Sequence, residues 1–477
     1  MDWQLPQTHQ PAYLRVITLI TTAIETGELL PGARLPAERW LAQTLGVNRS
    51  TVQRALGELV SQGLLARRVG SGTWVNPDKW GVAQPTRWHD YLSTNRLSGP
   101  DPFSLRLAKL RREPGMIDLA DSTIAADLAV PLAPSGLSLA ELYVQERQMD
   151  ITGDAELKRA VVTHLRPLLG AVSPEQVLIT SGAQQAYYLL SQGLLSDGDA
   201  IAVEAPSYFY QLTLFQAAGV RIYGVPLRDD GLDLAALTRV YHQHHVRFLF
   251  VNPTGQNPTG ATMSLAARQK LLTHCRALHL PLVEDDLLGV VSALQKKAQP
   301  PLRQLDSDNV LYIGSLSPLL GPHTRIGWLI APPGVVQRLA QIRQQMEAEI
   351  SVFPQVVAAQ LLMQPDLSRM VATQQARLAQ RRETLVAALS PLVAAGWLSY
   401  QSAAANNHFW VTLHRTQQLS AVEYGAFLQA GLLVRPDFLF GSHHNQVRLS
   451  YARLLPSQAA ALQARLAQVV QTIGDHK

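Results

Sequence analysis

Two stretches of this chain carry residue types spaced for anion chemistry. Ile179-Thr180-Ser181-Gly182-Ala183-Gln184-Gln185 closes an apolar, β-like run and opens a helical one. At such a turn backbone N–H groups are exposed and the helix dipole adds positive potential, which suits a phosphate. Near the N-terminus Asn48 stands where a helix begins, and Arg49, Ser50, Thr51 and Gln53 fall in its first turns. An Asn at that position can cap the helix. The first turns of a helix laid in the major groove meet base edges and phosphates. Taken singly, Arg39 and Arg49 read as solvated surface arginines, Asp285 as a helix cap, Arg325 as half of an ion pair and Tyr208 as core. Their surroundings decide.

The elements that would position the N-terminal set are legible. Tyr13 to Thr26 has apolar residues three or four apart, the spacing of one helix face. Gly27 to Gly32 breaks it. A short helix from Ala37 to Leu45, a Gly46-Val47-Asn48 turn and a second helix from Arg49 to Gly63 follow. Leu64 to Val75 alternates around Gly70-Ser71-Gly72, a hairpin pattern. The order predicts a winged helix-turn-helix over residues 1–76. Periodicity fades over 77–114, where Pro85, Pro100, Pro102 and Pro114 fall. That stretch reads as a linker, and as flexible chain it would span roughly 34 Å, enough to reach another subunit.

From residue 115 to 477, β-like runs alternate with helical ones, which predicts a mostly parallel α/β sheet. Strand candidates are 177–180, 200–204, 221–225, 247–252, 281–284 and 310–314. Beyond about Ser351 a smaller α+β subdomain is expected, with strands at 408–413 and 446–450.

Composition bounds the function. The 477 residues are 47% hydrophobic and 16% charged, with mean hydropathy +0.02. That is a globular composition, large enough for two or three domains. No apolar run approaches a membrane span and no secretory signal is seen, so a cytoplasmic location is expected. The single Cys275 excludes an internal disulfide and a multi-cysteine metal site. A net charge of +5 with a pI of about 9.3 permits an acidic partner.

The segment from Leu35-Pro36-Ala37-Glu38-Arg39 through Asn48-Arg49-Ser50-Thr51-Val52 to Gly70-Ser71-Gly72-Thr73 resembles the GntR winged-helix family. That resemblance implies contacts with double-stranded DNA through Arg39, Arg49, Thr51 and the wing-tip Gly70. Gln53 stands where some members have arginine. The remainder resembles fold-type I aminotransferases. It implies that Ser181, Gly182, Ala183 and Gln184 hold the phosphate of pyridoxal 5′-phosphate (PLP), with Ser315, Ser317 and Arg325. It implies further that Tyr208 stacks on the pyridine ring, Asn257 bonds its hydroxyl, Asp285 pairs with its nitrogen and Arg448 takes a substrate carboxylate.

One position breaks the pattern. Gly314-Ser315-Leu316-Ser317-Pro318 carries proline where the family has the lysine that holds PLP and moves the substrate proton. Proline has no amine. Leu287-Leu288 also replace a tyrosine usual after Glu284-Asp285-Asp286. Winged helix, linker and aminotransferase-like domain together resemble the MocR subfamily of GntR regulators. The resemblance implies a homodimer whose large domain senses a small-molecule effector, such as PLP, a related B6 vitamer held without a covalent bond, or an amino compound. The alternative is a working PLP enzyme with an appended DNA-binding domain.

Overall fold

Helix α1 (Ala12–Glu25) turns one face inward, burying Val16, Ile17, Ile20 and Ile24. These residues meet Leu41 of α2 (Glu38–Thr44) and Val52, Leu56 and Leu59 of α3 (Arg49–Ser61) in one apolar cluster. Strands β1 (Leu65–Arg68) and β2 (Gly72–Val75) pair antiparallel from Leu65↔Val75 to Arg68↔Gly72. Asn48 does occupy the N-cap position of α3, but its side chain makes no capping hydrogen bond. The computed structural model describes all residues except 1–2, 9, 69–71, 78–100, 132–135, 137, 229, 296–298, 322–323, 348–349, 402–405 and 474–477.

The linker reading is corrected over its last part. Residues Pro102–Leu110 form a helix that buries Phe103 and Leu107. Asp101 is its N-cap, accepting a hydrogen bond from the Ser104 amide, and Pro102 opens the first turn. A proline that reads as a breaker is there a helix starter, because its missing N–H is one the first turn leaves unpaired anyway. Arg106 donates to the carbonyls of Gly27 and Glu28, just past the end of α1. Gly27, at φ +73, passes so near the Pro102 carbonyl that no Cβ would fit. A short strand β3 (Ile117–Asp118) follows.

Contacts divide the chain into two units. One comprises residues 1–118, 415–436 and 461–477; the other comprises 119–414 and 437–460. The break expected at 114/115 stands beside a first limit of these units at 118/119, and the chain returns to the first unit twice.

The second unit is built on an eight-stranded sheet. Its strands are β4 (Val177–Thr180), β5 (Ala200–Ala205), β6 (Arg221–Arg228), β7 (Gly231–Leu232), β8 (Val246–Val251), β9 (Leu282–Asp285), β10 (Val310–Ser315) and β11 (Gly327–Ile330). They lie in the order β4-β11-β10-β9-β8-β5-β6-β7. The pairs β10/β9, β9/β8, β8/β5 and β5/β6 are parallel; β11 runs antiparallel between β10 and β4, and β7 antiparallel to β6. Alternate side chains enter two cores: Ile179, Tyr312, Trp328 and Ile330 on one face, Leu178, Val203, Phe250 and Ile313 on the other. Helices Ala183–Gly193 and Leu265–Ala277 belong to the same unit.

Two strands of the smaller sheet, β12 (Leu398–Gln401) and β13 (His408–Leu413), come next. The chain then re-enters the first unit through helix Ala421–Gln429, β14 (Leu432–Leu433) and β15 (Arg435–Pro436), where β14 pairs in parallel with β3. In the second unit β16 (Gln446–Ser450) completes β12-β13-β16, placing Trp410 opposite Arg448 and His408 opposite Ser450. Among the described residues no helix is long and apolar enough to cross a membrane.

Candidate functional site

The turn after β4 carries its chemistry on the backbone. Gly182 sits at φ +80 as the N-cap of helix Ala183–Gly193. The amides of Ala183 and Gln184 have no carbonyl one turn earlier to accept them. The Ser181 amide donates to Gln185 Oε1 at 2.8 Å, and Gln185 Nε2 donates to Glu347 Oε1 at 2.8 Å. Arg325, exposed and at φ +49, brings its guanidinium beside Gly182: a Cβ built there would lie 3.7 Å from Cζ.

Ser315 and Ser317 close the same end. The buried Ser315 hydroxyl donates to the Ile326 carbonyl at 3.1 Å, accepts from the Ser317 amide at 3.1 Å and lies 2.9 Å from Ser317 Oγ. Beneath them Gly327 supports the turn. A Cβ there would meet the Gly182 carbonyl carbon at 2.8 Å and the Ala183 amide nitrogen at 3.0 Å. A Gly327→Ala protein is therefore expected to fold with about 1–3 kcal/mol less stability, the ordinary cost of overpacking. If the turn holds a phosphate, that affinity should fall as well, because the turn must move. Thermal melting and calorimetry check the two effects separately.

The buried end is acidic. Asp285 is 2% exposed at the end of β9, and its Oδ1 has no hydrogen-bond partner. Burial pushes its carboxyl up to about 7, with the Tyr187 hydroxyl opposing and the neighbouring Asp286 adding to the rise. Asn252 Nδ2 donates to the Asp285 carbonyl at 2.6 Å, and Asn252 Oδ1 accepts from the Asn257 amide at 2.9 Å. The Tyr208 amide donates to the Asn257 carbonyl at 3.0 Å, and the Tyr208 ring lies 6.5 Å from that of Tyr187. Buried Arg448 on β16 donates to Asn257 Oδ1 at 2.9 Å and to the Ala120 carbonyl at 2.8 Å, with its Cζ 5.4 Å from the Phe440 ring. His408, also buried, faces the Arg448 charge; burial and that charge hold its pKa well below the usual histidine value.

Pro318 stands in the first turn of the short helix Ser317–Leu320, half-buried. The described lysines of this unit are Lys158 and Lys270. Lys158 donates to Thr152 Oγ1 at 2.7 Å, and Lys270 is exposed on helix Leu265–Ala277.

The structure thus joins Gly182 with Arg325, Ser315 with Ser317, and Asn257 with both Tyr208 and Arg448. Gln184 contributes an amide at most, since its side chain is exposed. Sequence reasoning missed Tyr187, Asn252, Gln185 and Gly327. Tyr187 had a signal, one helical turn beyond Ala183 on the same face; the Glu347 partner of Gln185 lies 162 residues away and had none.

In the winged helix Arg39, Arg49, Ser50 and Gln53 are exposed and Thr51 half-buried. Gly70, expected at the wing tip, lies outside the described residues. Glu38 in the first turn of α2 gathers three side chains: Gln53 Nε2 donates to Oε2 at 2.9 Å, Arg67 Nη2 to Oε1 at 3.1 Å, and Arg49 Nη2 lies 3.6 Å from Oε2.

Residues 145–466 match the model of aminotransferase class I and II, and residues 12–75 that of the bacterial regulatory proteins of the gntR family. The chain is 33% identical over 457 residues to the uncharacterized HTH-type transcriptional regulator YisV of Bacillus subtilis (strain 168), covering 93% of this chain and 92% of that protein. It is 23% identical over 430 residues to the HTH-type transcriptional regulator NorG of Staphylococcus aureus (strain NCTC 8325 / PS 47), covering 88% and 95%. Among solved structures it is similar to LysN, the α-aminoadipate aminotransferase from Thermus thermophilus. The TM-score is 0.66 at 27% identity over 77% of this chain and 94% of that one. An archaeal alanine:glyoxylate aminotransferase shares the fold at TM-score 0.68 and 22% identity, over 81% and 98%.

Proposed function

The chain belongs to the family that joins a GntR-type domain to an aminotransferase class I and II domain, the MocR-like architecture, and from that premise we propose a transcription regulator whose large domain binds a small ligand without covalent catalysis. What supports the second half is Pro318: in the register that the resemblance sets through Ser315, Ser317 and Arg325, it falls at the family's lysine position, in a first helical turn whose backbone suits proline.

The residues around it fit PLP or a related B6 vitamer. Asp285 Oδ1, buried and without a partner, matches the N–H of a protonated pyridine, whose positive charge would counteract the desolvation that raises its pKa. The Ala183 and Gln184 amides with Arg325 match a phosphate. The resemblance assigns Tyr208 to stacking on the ring, Asn257 to the ring hydroxyl and Arg448 to an effector carboxylate; the Arg448–Asn257 bond and the Tyr208–Asn257 backbone bond keep the three together. When bound, PLP supplies an electron sink for amino-acid chemistry; with no amine at 318, this chain's own residues only bind and orient it.

DNA is read by α3, through Arg49, Ser50, Thr51 and Gln53, with Arg39 on α2 and, by the resemblance, Gly70. The family's two-fold arrangement makes a homodimer the working species, and native mass spectrometry reports both oligomer and retained ligand.

Calorimetry tests the ligand. PLP is expected to bind at least tenfold tighter than pyridoxine, which has no phosphate, because an anion at a helix N-terminus beside an arginine gains charge-assisted bonds worth about 1.5–3 kcal/mol. Equal binding of the two, or none, would mean that the pocket serves another molecule.

A further inference from the structure

We infer that Glu38 is a positioning residue for sequence reading: its carboxylate fixes the poses in which Gln53 and Arg49 of α3, and Arg67 of the wing, are offered to DNA. This rests on the regulator reading above.

Three elements converge on one side chain. Both Glu38 oxygens are engaged, Oε2 by Gln53 and Oε1 by Arg67, and Arg49 stands within ion-pair distance. The carboxylate is the more sheltered partner, with 24% of its side chain exposed against 66% for Arg49 and 45% for Arg67. Its place in the first turn of α2 is favourable for a negative charge. An acid on a face that approaches phosphates would by itself oppose binding. Surrounded by two guanidiniums and an amide, it instead orders long side chains before DNA arrives, so less rotamer freedom is lost on binding.

Gln53 gains most. With one Nε2–H given to Glu38, the amide keeps its second N–H and its oxygen. Those are the two groups that pair with N7 and N6 of adenine in the major groove. The geometry therefore assigns Gln53 to an A·T pair and gives Glu38 the task of setting its angle. A direct base contact by Glu38 is disfavoured because its carboxylate is already held by Gln53 and Arg67 and is the more sheltered partner of its ion pairs.

The test uses the full-length chain. Duplexes are selected from a randomised library with the wild type. Binding of wild type, Glu38→Ala, Glu38→Gln, Gln53→Ala and the double variant Glu38→Ala/Gln53→Ala is then measured on the selected duplex, its single-base variants and a random-sequence duplex. In the wild type, replacing one A·T pair should cost about tenfold. Gln53→Ala should abolish that preference. Glu38→Ala should reduce it severalfold without lowering affinity for random DNA, and should add little in the Gln53→Ala background. Glu38→Gln keeps one acceptor oxygen and should retain part of the preference. It also serves as the readout should thermal melting show Glu38→Ala to be unfolded. An unchanged preference in the Glu38 variants, or effects of Glu38→Ala and Gln53→Ala that simply multiply, would overturn the inference while leaving DNA recognition intact. A wild type that selects no sequence would overturn the regulator reading itself, and this one with it.

Discussion

A Pro318→Lys protein is expected to take up PLP covalently. Borohydride treatment with PLP should leave a reduced adduct on residue 318, detected by mass, and a new visible absorbance band should precede it; the wild type should show neither. The substitution is mild for the fold. Position 318 lies in the first turn of the helix Ser317–Leu320, where lysine is an acceptable helix residue and loss of proline costs about 0.4–1 kcal/mol through the unfolded chain. The surroundings remain as they are: Ser315 and Ser317 on one side, Arg325 beside Gly182, and Asp285 with its unpartnered oxygen. Covalent retention should therefore be large in effect, changing a dissociable ligand into one that survives dialysis. Transamination is not expected to return, since by the resemblance Leu287 and Leu288 stand at a tyrosine's place. A wild-type adduct at Lys158, Lys270 or another lysine would revive the enzyme reading. A lysine variant that binds PLP and never reacts with it would show that the register through Ser315, Ser317 and Arg325 is wrong.

The parts of the fold that show in the sequence are those whose local pattern and tertiary role agree. Periodicity places α1 and α3 within a residue or two at most ends, because one apolar face meets one core. Strands β4, β5, β8 and β10 read as short apolar runs, as strands covered on both faces do. Gly327–Ile330 has the same character, buried throughout, yet its four residues adjoin a chemically suggestive segment whose arginine and glycine draw the eye away from a strand. Its antiparallel insertion between β4 and β10 has no local signature at all. The helix Pro102–Leu110 escapes for a different reason: its start signal, Asp101-Pro102, sits amid other prolines.

Within the candidate site, residues placed to contact a ligand are legible because they sit in compact segments. Residues that hold them in place are not. Asn252 fixes Asn257 across five positions and Asp285 across 33, and Glu38 binds Gln53 across 15 and Arg67 across 29. Such partners are set by the topology of the sheet and the turn between helices, which spacing along the chain does not reveal. The Gln185–Glu347 bond makes the same point at the phosphate turn.

Arg49→Ala is expected to lower affinity for the selected duplex by about 1–3 kcal/mol, and affinity for random DNA by much less. The side chain is 66% exposed and its ion-pair partner is Glu38 at 3.6 Å. An exposed pair of this kind contributes about 0–1 kcal/mol to folding. A cation at the first position of a helix is opposed by the dipole, so its removal returns part of that. Melting temperature should thus stay nearly fixed, and any loss of binding can be read as lost contact. Binding by the wild type should weaken steeply with added salt, because phosphate contacts release counterions. If Arg49 reads a base, the variant keeps nearly the same salt slope and loses discrimination at one position. If it only touches phosphate, the slope falls by about one, and selected and random duplexes suffer alike. Undiminished binding of the selected duplex would remove α3 from the interface, because Arg49 is the exposed cation that opens that helix, at the end where a major-groove contact must form.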